Sequence, residues 1–209
     1  MPPATSHKAA AQELARRDPV LAELVRVVGL PKIRPSHQTH FGALVRSVVY
    51  QQLAGAAAAA IHGRLVLALD GDISPAAFLA LSAETLRAAG LSANKSASLR
   101  DLAAKVLDGT VVLNPRGLAR ESDEEVIARL STVRGVGRWT AQMFLLFQLR
   151  RLDVWPAGDL GVRHGWTLIH GLDEMISEGD LRGEGDVFVG LRSDVAWYCW
   201  QAVHLSRGQ

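Results

Sequence analysis

Cysteine is nearly absent from this chain: among 209 residues there is one, Cys199. A single thiol cannot form a disulfide within the chain, and it cannot supply the cysteine ligands of a zinc site or an iron–sulfur cluster. No compact metal-ligand spacing links the histidines His37, His40, His62, His164 and His170 either. We therefore expect no cofactor in catalysis and no iron–sulfur cluster.

Long apolar runs are missing as well. No segment has the length of a membrane-spanning helix, and the stretch MPPATSHKAAAQELARRD lacks the apolar core of a signal peptide. We expect a soluble protein of the cytoplasm.

Aromatic residues make up only 6% of the chain, while alanine, leucine and arginine are abundant, a balance that favours helices over sheets. Helix signals recur. Asp18 and Pro19 form an N-cap followed by proline at the first helical position, and Ser122 with Glu125 forms a capping box. The strongest β-type run, residues 111 to 113, is too short for a sheet. We predict an all-α fold.

A large excess of charge of either sign is also absent. The net charge of +2 at pH 7 does not by itself indicate a polyanionic partner, and a solvated surface explains it equally well. The basic residues are nevertheless mostly arginine, whose guanidinium binds phosphate as a fork, and the isoelectric point is about 9.0. Charge alone therefore leaves nucleic-acid binding open.

What the sequence does contain is an interrupted helix, LSTVRGVGRWTAQMFLLF, at residues 130 to 147. Gly135 and Gly137 break the helical pattern, and a second helix is predicted from Arg138 to Phe147. Glycines accept positive φ and allow a ligand to approach the backbone, while the start of the second helix offers unpaired N–H groups that suit a phosphate. An ordinary turn between two helices is the alternative.

A second motif, DVWPAGDLGVRHG, lies about twenty residues downstream. Pro156 and Gly158 shape a loop that delivers Asp159 to the start of a helix. An aspartate in this position is most often an N-cap, and a catalytic carboxylate is the alternative. Asp153, at the edge of the same loop, is a rival carboxylate whose place beside a helix end favours a structural role.

Together these two motifs resemble the helix-hairpin-helix Gly/Pro-Asp (HhH-GPD) superfamily of DNA glycosylases. The resemblance extends over residues 38 to 203 and includes LVRSVVYQQLAG, LRAAGLSANKSASLRDLA, GVGRWTAQMFLLF, WPAGDLGVR and RSDVAWYCW. Within the superfamily the chain looks most like the 3-methyladenine DNA glycosylase II group, which removes alkylated bases.

The resemblance implies a two-lobed, all-α fold with the active-site cleft between the lobes. Residues 1–37 would pack with the C-terminal lobe, residues 38–149 would form a helical lobe ending in the hairpin at 122–149, and residues 150–209 would carry the aspartate loop. The implied partner is double-stranded DNA with alkylated bases, bound by a monomer associated with the nucleoid, without a membrane.

The resemblance also assigns the site. Asp159 would be the catalytic carboxylate, beside the sugar, and Gln52 would fill the space that the extruded base vacates. The base pocket would contain Gln51, Trp200, Tyr198, Met143 and Leu160. The hairpin would bind the DNA backbone through Arg134, Gly135, Val136, Gly137, Arg138 and Thr140. In relatives the hairpin carbonyls often hold a sodium or potassium ion, and the matching residues are Ser131, Val133 and Val136.

One hairpin position indicates the type of chemistry. Relatives that also cleave the DNA strand carry lysine in the second helix, as in GVGRKTA, where the amine attacks the sugar. Here the residue is Trp139, and indole cannot form a Schiff base. We expect a monofunctional enzyme that leaves an abasic site, with Trp139 as a core residue that supports the hairpin.

Two other functions stay open at this point. The same fold could act on another lesion, such as ethenoadenine, hypoxanthine or uracil, since Met143 and Leu160 replace residues that are aromatic in some relatives. Alternatively, the protein could bind damaged DNA without catalysis, which the intact Asp159 loop argues against.

Overall fold

A computed structural model describes residues 7–33 and 36–208 of the chain. Over these residues all regular secondary structure is helical, with thirteen α-helices and no β-strand. The all-α prediction is confirmed. Within the same residues, no helix is both long and apolar enough to cross a membrane.

The α-helices follow one another at short intervals. They are α1 His7–Arg17, α2 Pro19–Val28, α3 His40–Tyr50, α4 Gly55–Ala68, α5 Pro75–Ala80, α6 Ala83–Ala88, α7 Ala93–Leu107, α8 Pro115–Leu118, α9 Asp123–Leu130, α10 Arg138–Met143, α11 Leu160–His170, α12 Glu178–Glu184 and α13 Arg192–Ser206. A π-helical segment, Phe144–Gln148, continues α10, and a 3-10 segment, Gly185–Phe188, continues α12.

The helix starts predicted from the sequence are confirmed. The Asp18 carboxylate accepts hydrogen bonds from the amides of Val20 and Leu21, at 2.8 and 3.3 Å, in front of α2. At α9 the Ser122 hydroxyl accepts from the Glu125 amide, and the Glu125 carboxylate accepts from the Ser122 amide at 2.7 Å. These bonds satisfy amides that have no partner inside the helix.

The chain divides into two compact units. The first combines the described residues before Ser36 with the chain from Leu145 onward, and the second is Ser36–Phe144. In the first unit, α11 packs along α13, and α2 contacts both of them. In the second unit, α3 packs on α4 and α7, α5 packs on α7, and α9 pairs with α10.

The contact between α11 and α13 is unusually close. A Cβ atom added to Gly165 of α11 would lie 2.0 Å from the backbone carbonyl oxygen of Cys199 on α13. No side chain fits between the two backbones at this point, so glycine is required here. Burial raises the pKa of the Cys199 thiol, and the negative charge of Asp159 adds to the effect, so the thiol is neutral at this contact.

We predict that Gly165→Ala lowers the free energy of unfolding by about 1–3 kcal/mol, because the added methyl group forces α11 away from α13. Gly63→Ala is the matched control. Gly63 lies in α4 with no atom within 4 Å of an added Cβ, so alanine should stabilise the helix by about 0.5–1 kcal/mol. Urea denaturation measures both, and equal effects of the two substitutions would contradict the close contact.

Candidate active site and hairpin

The hairpin joins α9 to α10 through a tight turn within the second unit. As predicted, the first helix ends at Leu130 and the second begins at Arg138. Gly135 has φ +73°, and a Cβ atom there would lie 2.5 Å from the Ser98 hydroxyl oxygen. Glycine is therefore needed both for the backbone conformation and for the close approach of α7.

The amides of the two hairpin glycines are not used in hydrogen bonds among the described residues of the protein. Within the described part of the chain, no backbone or side-chain hydrogen bond uses the N–H of Gly135 or of Gly137. Gly137 is the N-cap of α10, no side chain caps that helix, and the space around its Cα is open. Two amides without a partner among the described residues and the positive end of the helix dipole thus lie within three residues of each other, an arrangement that suits an anion.

Two charged residues of α7 brace the turn from behind. The Asp101 carboxylate accepts from the Arg134 amide at 2.7 Å and from the Lys105 ammonium at 2.9 Å. The Lys105 ammonium also donates to the Thr132 carbonyl. The bond from the Arg134 amide, with Lys105 in support, lowers the pKa of the Asp101 carboxyl. The Arg134 amide is therefore committed to the protein, which leaves the glycine amides as donors for a ligand.

The side chains of the two hairpin arginines also have protein partners. The Arg134 guanidinium donates to the Asn94 side chain at 3.3 Å, and the Arg138 guanidinium pairs with the Glu124 carboxylate. Both side chains of the Arg138–Glu124 pair are largely exposed. Such pairs contribute little to stability.

Gln51 ties the end of α3 to the hairpin. Its side-chain amide donates to the Gly135 carbonyl at 3.1 Å and to the Thr140 hydroxyl at 3.2 Å. Thr140 is only about 4% exposed, so its hydroxyl braces the hairpin from inside, and its place among the DNA-binding residues of the hairpin stays a prediction. The bonds made by Gln51 are likewise bracing contacts, and its role in the base pocket stays a prediction.

Gln52, the next residue, stands at an exposed turn. Its φ of +56° is in the left-handed region, where a residue with a Cβ atom is strained. The Lys95 ammonium secures the start of this turn by donating to the carbonyls of Val49 and Gln51, at 2.6 and 2.8 Å, and burial lowers its pKa. The backbone is thus held so that Gln52 projects into solvent, as an inserting side chain requires.

Asp159 lies in the first unit, at the start of α11. Its side chain is about 8% exposed, and its Oδ1 accepts a hydrogen bond from the Val162 amide at 2.8 Å. This is the N-cap geometry expected from the sequence. The same oxygen also accepts from the indole N–H of Trp200, at 2.9 Å. The aspartate is therefore a helix cap and, in addition, the partner of an aromatic residue on α13.

Trp200 is held on a second side by Phe147. The two rings are stacked with centroids 5.6 Å apart and planes at 27°.

The predicted second hairpin helix was continuous from Arg138 to Phe147, but α10 ends at Met143 and the chain continues as a π-helical segment. The wider turn changes the direction of the side chains that follow, and π segments of this kind are frequent at functional sites.

The remaining predicted pocket residues divide into two groups. Leu160, next to Asp159, is about 65% exposed, and Met143 is half-buried, so both have surface available to a ligand. Tyr198 is a correction. Its side chain has no exposed surface, and its hydroxyl donates to the Gly29 carbonyl at 2.9 Å. It belongs to the core of the first unit and cannot line an open pocket.

Trp139 is a second correction. The sequence indicated a core residue that supports the hairpin, but this side chain is about 48% exposed. It is the second residue of α10, and its neighbours Thr140 and Ala141 are the buried ones. The buried part of α10 therefore begins at Thr140, one residue after Trp139.

Asp153 has the structural role that the sequence favoured. Its carboxylate accepts two bonds of 2.7 Å from the Arg192 guanidinium and a third from the Gly190 amide. These contacts tie the aspartate loop to the start of α13. Asp159 is thus the carboxylate of this loop that lies beside an aromatic side chain.

Four residues that matter to this geometry were missed from the sequence: Phe147, Gly161, Lys95 and Asp101. A Cβ atom on Gly161 would lie 2.9–3.0 Å from the indole edge of Trp200 and 3.1 Å from Asp159 Oδ1. The sequence did contain one signal for Gly161, which is a glycine two residues after the candidate catalytic aspartate. The long-range bonds of Lys95 and Asp101 had no local signal, because both lysine and aspartate are ordinary on exposed helix faces.

Among the described residues, no group of three or more His, Cys, Asp or Glu side chains could hold a metal ion. Asp159 itself offers a buried carboxylate whose Oδ1 accepts from the Val162 amide and from the Trp200 indole. Such a group can stabilise a developing positive charge or accept a proton from water.

Comparison with known proteins identifies the family. Residues 45–186 match the model of the HhH-GPD superfamily of base excision DNA repair proteins. The chain belongs to this superfamily. In sequence it is similar to DNA-3-methyladenine glycosylase 1 of Schizosaccharomyces pombe, with 33% identity over 88% of this chain and 82% of that protein.

Solved structures of the superfamily share the fold. The S. pombe enzyme in complex with abasic DNA, 33% identical, superposes with a TM-score of 0.80 over 92% of this chain and 95% of its own. A DNA-3-methyladenine glycosidase from Bacillus halodurans, 30% identical, gives 0.86 over 96% and 91%. The all-α HhH-GPD architecture is thereby confirmed.

We predict that Gln51→Glu lowers the free energy of unfolding by about 1–3 kcal/mol, because a carboxylate cannot donate to the Gly135 carbonyl and repels it. The control is Gln52→Glu, which makes the same charge change at the exposed neighbouring position and should shift the value by less than about 0.5 kcal/mol. Urea denaturation measures both. A loss shared equally by the two variants would show that Gln51 does not brace the hairpin.

Proposed function

We propose that the protein is a monofunctional DNA glycosylase of base excision repair. It flips alkylated bases of the 3-methyladenine and 7-methylguanine type out of double-stranded DNA and hydrolyses the N-glycosidic bond, leaving an abasic site. The observation that carries the proposal is the buried Asp159 carboxylate at the start of α11 in a chain of the HhH-GPD superfamily. The names of the relatives, DNA-3-methyladenine glycosylases, support the substrate class.

The reaction asks for one negative group beside the sugar. An alkylated base such as 3-methyladenine carries positive charge, leaves readily, and passes through a transition state in which the sugar resembles an oxocarbenium ion. Asp159 stabilises that positive charge and orients or deprotonates the attacking water. Since the carboxylate is largely shielded from solvent, its field at the sugar is stronger than that of an exposed aspartate.

Strand cleavage is not part of the proposed activity. A bifunctional enzyme needs an amine that attacks the sugar and forms a Schiff base. The corresponding position of this chain holds Trp139, whose exposed indole has no such chemistry. The product is an abasic site with an intact strand.

The hairpin is the proposed handle for the DNA backbone. The amides of Gly135 and Gly137 donate to one phosphate, and Arg134 and Arg138 add positive charge next to it. A monovalent cation on the carbonyls of Ser131, Val133 and Val136 would increase the attraction for phosphate. Of these three carbonyls, that of Val133 also accepts from the Val136 amide at 3.0 Å, so the ion would use its second lone pair.

Base extrusion is assigned to the residues around the exposed turn and the aspartate. Gln52 fills the gap left in the base stack, and Trp200, Met143, Leu160 and Gln51 contact the extruded base. The enzyme acts as a monomer in the cytoplasm, associated with the nucleoid.

We predict that Asp159→Asn reduces base release at least about 100-fold, because the amide cannot stabilise a cation or accept a proton. Duplexes with one 3-methyladenine or 7-methylguanine are incubated with enzyme, and alkali then reveals the abasic sites. DNA affinity should be retained. Asp153→Asn, the same change at the rival carboxylate, should keep most of the activity of the folded protein.

Two outcomes would refute this mechanism. Wild-type release by Asp159→Asn would remove the carboxylate from catalysis. Strand cleavage by the native enzyme without alkali would show a lyase activity, which Trp139 should prevent.

We further predict that Gln52→Gly stabilises the protein while it impairs function. Glycine relieves the left-handed backbone, which costs about 1 kcal/mol for other residues, but removes the side chain that fills the DNA stack. Asp70→Gly is the control, since Asp70 has a similar φ of +49° at the end of α4. Both variants should raise the unfolding midpoint, and only Gln52→Gly should slow release from duplex DNA. Equal activity of the two variants would exclude Gln52 as the inserting residue.

A further inference from the structure

We propose that Trp200 is a positioning residue for catalysis: its indole N–H holds the Asp159 carboxylate in the orientation that faces the sugar. This inference rests on the proposed glycosylase function. It differs from the assignment of Trp200 to the base pocket, because it concerns the edge of the indole and not its face.

The first observation is the hydrogen bond itself. The indole nitrogen lies 2.9 Å from Asp159 Oδ1, an oxygen that already accepts from the Val162 amide. The amide bond fixes the carboxylate relative to its own helix. The indole bond adds a second anchor, from α13, and two donors on one oxygen oppose rotation of the carboxylate about its last bond. Hydrogen bonds to an ionised group are stronger than those between neutral groups.

The second observation is that Trp200 is itself restrained. Phe147 stacks on its ring at 5.6 Å. Gly161 lies against the edge that carries the N–H, since a Cβ atom there would be 3.0 Å from the indole nitrogen. The ring is thus confined by a stacked neighbour on one face and by the backbone of α11 at its polar edge. A donor confined in this way orients its acceptor without a further loss of side-chain freedom.

The third observation is how the helices bring the pair together. Asp159 and Trp200 are 41 positions apart along the chain. They meet because Gly165 lets the backbone of α11 touch that of α13 at Cys199, the residue before Trp200. Gly161 and Gly165, four residues apart, thus lie on the face of α11 against which α13 packs.

The test separates positioning from stacking on the base. Two duplexes are compared, one with a cationic pyrrolidine abasic-site mimic and one with its neutral tetrahydrofuran counterpart. Neither contains a base at the site, so loss of base stacking affects neither. The wild type should prefer the cationic mimic, because the Asp159 carboxylate faces the positive ring. Trp200→Phe keeps an aromatic ring but lacks the N–H, and we expect it to reduce this preference about tenfold while affinity for the neutral mimic is unchanged.

The single-turnover rate of base release at saturating enzyme should fall by a similar factor. In an Asp159→Asn background, Trp200→Phe should have little further effect on that rate, because the two residues act through one contact. Preservation of the cationic preference in Trp200→Phe would overturn the inference.

A pair of glycine substitutions gives an independent answer and covers the case in which Trp200→Phe does not fold. Gly161→Ala should push the indole edge away from Asp159 and lower the cationic preference in the same direction. Gly183→Ala, in α12 with no atom within 4 Å of an added Cβ, should leave it unchanged. If both alanine variants keep the wild-type preference, the indole bond does not position the carboxylate.

Failure of the proposed function looks different from failure of this inference. A wild-type protein that releases no alkylated base and binds both mimics equally would refute the glycosylase proposal, and the role of Trp200 would fall with it. A wild-type protein that releases the base and prefers the cationic mimic, with Trp200→Phe unchanged, would overturn the role of Trp200 alone.

Discussion

The backbone contact between α11 and α13 is the constraint on which the candidate active site depends. Gly165 allows this contact, since any side chain there would collide with the Cys199 carbonyl. One residue further along α13, the contact places the indole of Trp200 within hydrogen-bond distance of Asp159. A wider separation of the helices would take the indole N–H of Trp200 out of reach of Asp159. The site is therefore built from helix packing and not from the loop alone.

In the second unit, the glycine-rich hairpin turn is held in place by polar contacts from neighbouring helices. Asp101 and Lys105 hold the turn from α7, and Gln51 holds it from the end of α3. All three residues use polar groups on the protein side of the turn. The amides of Gly135 and Gly137 are not used by these contacts, so rigidity is achieved while the anion-binding groups stay available.

The proposed chemistry needs an oriented carboxylate, which Asp159 supplies. A cationic base leaves easily, so the protein needs to supply an oriented negative charge and a site from which water is largely excluded. Trp139 stands where bifunctional relatives carry an attacking lysine. Its presence fits the proposed hydrolysis, because hydrolysis needs no covalent intermediate with the protein.

Local rules determined much of this protein from sequence alone. Composition and N-cap signals predicted an all-α chain, the start of α2 and α9, both ends of the hairpin turn and the capping position of Asp159, because each depends on residues within one helical turn. Tertiary packing decided the rest. The bonds of Gln51 and Trp200 join residues far apart in sequence. The burial of Tyr198 and the exposure of Trp139 depend on which face of a helix is covered. The π-helical segment was also not predicted from the sequence. Periodicity indicates that a helix has a buried face, but only the packed structure decides which partner covers it and which polar atoms meet there.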